Sequence, residues 1–165
     1  MQHRLWRSVN DFIILSYEVR RWDSFDVVGK SSKIVKSLPD QSTLVDSFSI
    51  LDFLGNFSCP DKECFVKIVA EADNLKIPTD YHIPAALSKT EPFNYRPEQK
   101  ITFDRKSCQR NETSLSFDVV AVHPEPFVWF DIRFSGGDFV ENLIWITEPR
   151  TTMTIELNDT SGKSK

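Results

Sequence analysis

The chain has 165 residues, 40% of them hydrophobic, which is enough core for one domain or two small ones and excludes disorder and fibrous repeats. Its 20 Lys and Arg stand against 24 Asp and Glu, a net charge of −4, so no basic footprint for nucleic acid exists. With 5 glycines it carries no GxGxxG or GxxxxGK[ST] phosphate loop, and no apolar run is long enough for a membrane span.

Residues 1–11 read as an N-terminal remnant or linker. The apolar run after them, Phe12 to Leu15, is too short for a signal peptide, so no export signal is expected on this chain. Over 13–20, Ile13, Leu15, Tyr17 and Val19 alternate with Ser16, Glu18 and Arg20, the period of a half-buried strand. Ser42 to Leu54 fits a helix in part, through Leu44, Val45, Phe48, Leu51 and Phe53, but its Phe, Ile and Val content favours a strand. Turn chemistry follows at Asn56 to Pro60, then Val66, Ile68 and Ala70 alternate with Lys67 and Glu71. After a turn at Asp73-Asn74, Ile77 to Gln99 carries Pro78, Pro84, Pro92 and Pro97. Proline removes a ladder donor, so Tyr81 to Ile83 is expected as a short edge strand before a long irregular loop holding Phe93 and Tyr95.

Further along, Ile101 and Phe103 alternate with Lys100, Thr102 and Asp104. Leu115, Phe117, Val119 and Ala121 alternate with Ser114, Ser116 and Asp118. Phe127 to Phe134 and Phe139 to Ile146 are dense apolar runs, as in strands covered on both faces. Met153, Ile155 and Leu157 form the last strand, and 158–165 is a polar, flexible tail. Strands about every 10–15 residues, without a long helical pattern, predict an all-β fold: a two-layer antiparallel β-sandwich forming one immunoglobulin-like domain over 12–157. Leu115, Phe117, Val119, Phe127, Trp129, Trp145 and Ile155 are its expected core. No tryptophan lies between the cysteines, so the antibody arrangement is absent.

Candidate sites are few. Asn56, Asn111 and Asn158 each open an N-x-[ST] glycosylation acceptor, a pattern of secretory proteins. Cys59 and Cys64 are spaced to close a disulfide across a tight turn. Three reduced, buried thiols are the alternative, and the odd count, which leaves Cys108 over, argues against a self-contained oxidised framework. His3, His82 and His123 lie far apart with no zinc-ligand spacing, so no metal or other cofactor is expected. Asp131, Asp138, Glu141 and Glu148 read as turn and strand-exit residues rather than a glycosidase pair. Trp129 and Trp145 suit a sugar-stacking platform, but dense apolar flanks place both in the core.

The C-terminal third carries a resemblance. Pro126-Phe127-Val128-Trp129-Phe130-Asp131 precedes Gly137-Asp138-Phe139-Val140-Glu141-Asn142 and then Thr147-Glu148-Pro149-Arg150-Thr151. This resembles the C-terminal end of animal β-mannosidases, glycoside hydrolases of family 2. Phe130 replaces the usual Leu, and the turn around Pro149 is one residue shorter. Upstream, Asn56-Phe57-Ser58-Cys59 before Cys64-Phe65-Val66, and Asp80-Tyr81-His82-Ile83, resemble the same domain. The resemblance spans roughly 12–157. It implies a lysosomal setting and a non-catalytic Ig-like sandwich, whose partners are a catalytic TIM barrel and neighbouring domains. It implies no catalytic residue here, because no position matches the barrel motifs. On this basis the chain is expected to be a fragment of an enzyme that removes terminal β-D-mannose in glycoprotein breakdown. It is expected to be inactive alone. The alternatives are a free-standing Ig-like module binding carbohydrate or protein, and an enzyme in its own right.

Overall fold

The computed structural model describes residues 12–36, 47–72, 77–90, 101–131 and 137–157. The chain is all-β with antiparallel sheets, the class its alternating pattern requires. It groups into two compact units, Met1–Arg21 with Asp26–Thr90, and Trp22–Phe25 with Glu91–Lys165.

The first unit is a four-stranded sheet in the order β2-β1-β3-β4, made of β1 (Phe12–Arg21), β2 (Val27–Lys36), β3 (Cys64–Glu71) and β4 (Asp80–His82). β1 pairs with β3 from Ile14 opposite Glu71 to Arg21 opposite Cys64. Tyr17 and Val19 of β1 and Cys64 and Val66 of β3 share one buried face. Helix α1 (Ile50–Gly55) packs on that face, burying Leu54 and seating Ile50, Phe53 and Phe57 beside it. This corrects the strand expected over Ser42 to Leu54. Residues 42–46 of that stretch lie outside the described residues. Ser49 caps α1 by accepting the Asp52 N–H at 3.4 Å, and the Phe53 N–H reaches the Ser49 carbonyl at 3.0 Å. Apolar residues at 50, 53, 54 and 57 then fall on one helical stripe. Rings of Tyr17, Phe53 and Phe57 meet edge to face in sequence, with centroids 6.2 and 5.3 Å apart. Burying a side chain such as Leu54 or Val19 contributes about 1.5–3 kcal/mol.

The second unit holds a four-stranded sheet in the order β5-β6-β10-β8 and a two-stranded ribbon, β7 with β9. The strands are β5 (Ile101–Arg110), β6 (Ser114–Ala121), β7 (Glu125–Val128), β8 (Gly137–Phe139), β9 (Ile144–Ile146) and β10 (Arg150–Leu157). Val119, Ala121 and Met153 of the sheet pack with Ile146 of the ribbon and with Phe130, giving this unit two layers about one core. Phe103, Phe117, Phe130 and Phe139 close a ring cluster with centroids 5.6–6.3 Å apart.

Two expectations for this unit are corrected. The run Phe139 to Ile146 is not one strand covered on both faces: it breaks into β8, a turn and β9. Phe127 and Trp129 are not core residues; they are 43% and 65% exposed. The cause is a bulge. Glu125 pairs with Ile146 and Val128 with Ile144, so three steps on β7 oppose two on β9. Phe127 sits in the extra step with φ 55°. One inserted residue reverses which side chains face inward, so Val128 and Phe130 turn to the core in place of Phe127 and Trp129. Of the other expected core residues, Val119 and Ile155 are buried, whereas Leu115, Phe117 and Trp145 are half-buried.

Candidate functional site

The turn between β8 and β9 is built around Asn142. Its side chain closes on the Phe130 backbone like a peptide group. The Phe130 N–H donates to Oδ1 at 2.8 Å, and Nδ2 donates to the Phe130 carbonyl at 2.7 Å. Oδ1 also accepts the Leu143 N–H at 3.0 Å, beside a Leu143 backbone with φ 56°. The asparagine thus does for the end of β7 what a neighbouring strand would otherwise do.

Beyond that turn a groove of about 270 Å³ opens alongside β10, lined by Val140, Glu141, Ile144, Trp145 and Thr151 to Thr154. Trp145 is half-buried, its ring 5.3 Å from Phe127 edge-on and 5.9 Å from the wholly buried Trp22. Trp145 is therefore a wall of a concave site, while Trp129 stands on the surface.

On the sheet, Arg150 Nη1 donates to Asp104 Oδ2 and to Asp118 Oδ2, each at 2.8 Å, and the Thr152 hydroxyl donates to Asp118 Oδ1 at 2.8 Å. Hydrogen bonding from Arg150 holds both carboxyls below the usual aspartate range, and the two aspartates raise Arg150 in turn. In the first unit, partial burial pulls the Glu18 carboxyl upward, but bonds from Arg20 and Lys30 outweigh it and leave the group below its ordinary value. These depressed carboxylates are ion-paired structural groups. A general acid for glycoside hydrolysis requires the opposite shift.

The residues singled out from sequence are scattered. Asn56 is exposed and forms the C-cap of α1; its sequon partner Ser58 has φ 53°. Asn111 lies in the turn joining β5 to β6, where its Oδ1 accepts the Thr113 and Ser114 N–H groups at 2.9 and 2.6 Å. Asn158 and His3 lie outside the described residues, as do Pro92, Phe93, Tyr95 and Pro97. Cys59 and Cys64 have Cα atoms 6.2 Å apart and are joined as a disulfide; Cys108 is an exposed free thiol on β5. His82 is exposed on β4, and His123 Nδ1 lies 2.9 Å from the Asp23 carbonyl. Asp131, Asp138, Glu141 and Glu148 are exposed at strand ends and turns, with Glu141 at the groove. Among the described residues, no three His, Cys, Asp or Glu cluster to hold a metal ion, and no helix is long and apolar enough to cross a membrane.

Sequence reasoning missed the Asn142 clamp, the Arg150 pair of aspartates and the groove. The signals were thin. Asn142 and Arg150 stand in the C-terminal motifs, but their partners lie 12 to 46 residues away. No protein-family model matches the chain, and no curated protein matches it.

Proposed function

We propose that this chain is the non-catalytic C-terminal Ig-like domain of a β-mannosidase, working beside a catalytic barrel in the lysosomal breakdown of glycoprotein oligosaccharides. The observation that carries the reading is the Asn142 clamp. It joins the two segments on which the resemblance rests, Pro126 to Asp131 and Gly137 to Asn142, into one unit. The Asn142 side chain is thereby committed to shape. Arg150, from the third segment, is likewise committed to Asp104 and Asp118. Phe127, Trp129, Val140 and Leu143 are exposed large apolar side chains of this unit, as suits a domain that docks on another.

The test is complementation. A β-mannosidase truncated before its last sandwich is co-expressed with this chain and assayed on an aryl β-mannoside. The expected result is co-purification and recovered turnover, with none from this chain alone. Failure to associate refutes the domain assignment. Turnover by the isolated chain that disappears in Asp131→Asn or Glu141→Gln refutes the non-catalytic role.

A further inference from the structure

β8 accompanies β10 only from Gly137 to Phe139, followed by one bond from the Val140 N–H to the Thr154 carbonyl at 3.0 Å. There the chain turns away, because Asn142 is held by Phe130. β10 continues toward Arg150 with no described strand on that edge. Residues two apart in an antiparallel strand send their N–H and C=O to the same edge, so Thr152 presents its main-chain pair toward the groove, as Thr154 does to Val140. The groove therefore combines apolar walls, Val140, Ile144, Trp145 and Met153, with a polar edge of threonines and the Glu141 carboxylate.

That lining selects a ligand class. Among the described residues no Lys, Arg or His lines the groove, so a phosphate or carboxylate meets no countercharge from them. The threonine edge is too polar for a lipid chain. A volume of about 270 Å³ lies at the small end of ligand sites, about one ring with a substituent. A pyranose has that size, an apolar C–H face and a rim of hydroxyls that both donate and accept. We propose that the groove beside β10 binds a neutral pyranoside, its C–H face on Trp145 and its hydroxyls on the Thr152 main chain, Thr154 and Glu141. The proposal needs only the second unit and does not depend on the β-mannosidase reading.

The test is a ¹⁵N–¹H NMR titration of the full chain with methyl β-D-mannopyranoside and methyl β-D-glucopyranoside, with glucose 6-phosphate as the anionic control. The expected result is saturable shifts confined to the amides of Thr151 to Thr154 and the Trp145 indole, half-complete on the order of 1 mM. Thr154→Val keeps the strand shape and Glu141→Gln keeps the side-chain size; each should weaken binding about fivefold, the worth of one hydrogen bond. The spectra themselves report whether each variant is folded. Shifts that stay linear to about 50 mM, that persist unchanged in both variants, or that the phosphorylated sugar reproduces equally, overturn the proposal.

Discussion

Replacing Asn142 with alanine removes a side chain that ties the turn before β9 to the backbone of the core residue Phe130. Three hydrogen bonds go: the Phe130 N–H at 2.8 Å, the Phe130 carbonyl at 2.7 Å and the Leu143 N–H at 3.0 Å. At about 1 kcal/mol net each, the loss is about 3 kcal/mol. Phe130 is 8% exposed, so water replaces those partners poorly, and the cost should not fall much below about 2 kcal/mol. For a chain of this length that lowers Tm by roughly 6–12 °C. In urea the midpoint should fall by about 1–1.5 M at an m-value of about 2 kcal/mol/M. Circular dichroism through both transitions gives these numbers. Asp138→Ala, exposed on β8, is the control and should stay within about 0.5 kcal/mol. Asn142→Asp does not rescue, because it sets a carboxylate oxygen against the Phe130 carbonyl. An Asn142→Ala protein within about 0.5 kcal/mol of the parent would show that the clamp is incidental.

Other outcomes follow from the same geometry. Trp22→Ala empties a wholly buried site and should cost about 3–5 kcal/mol, whereas Trp129→Ala, at an exposed position, should cost under about 0.5 kcal/mol by urea unfolding; the reverse order would refute the bulge in β7. A Cβ at Gly29 collides with the Phe57 ring, which Phe53 backs at 5.3 Å, so Gly29→Ala should destabilise by about 1–3 kcal/mol in the same assay. Cys59 and Cys64 are 5 residues apart, a short loop, so reducing them should cost only about 2 kcal/mol, read as a Tm difference with and without reductant. Asp104 and Asp118 have lowered folded pKa values, so their contribution is complete above the ordinary aspartate value of about 3.9 and is lost as pH falls through the lowered values. Arg150→Ala should therefore flatten the acid limb of a Tm–pH profile and leave it unchanged in slope near neutrality.

Strands whose apolar and polar residues alternate were legible from the residues alone. Leu115 to Ala121 alternate because each second side chain turns to a core, and β6 lies where that alternation runs; β1 also lies where Leu15 to Val19 alternate, although its Ser16 and Arg20 are buried as well. β2 was not legible. It is an edge strand whose serines and lysines are exposed along most of its length, so burial leaves little pattern in it. Helix α1 was misread because six residues are too few for a 3.6-residue period to outweigh Phe and Ile propensity; the Ser49 cap was its one local mark. Which aromatic residues face inward along β7 was decided only in three dimensions. Phe127 and Trp129 have the composition of a core strand, and the extra residue that turns them outward is fixed by pairing with β9, 16 or more residues later. The groove has the same origin. Trp145, Glu141 and Thr152 are unremarkable one by one. They line one cavity because β8 stops early and Asn142 draws the chain onto Phe130, a long-range bond that no local spacing records.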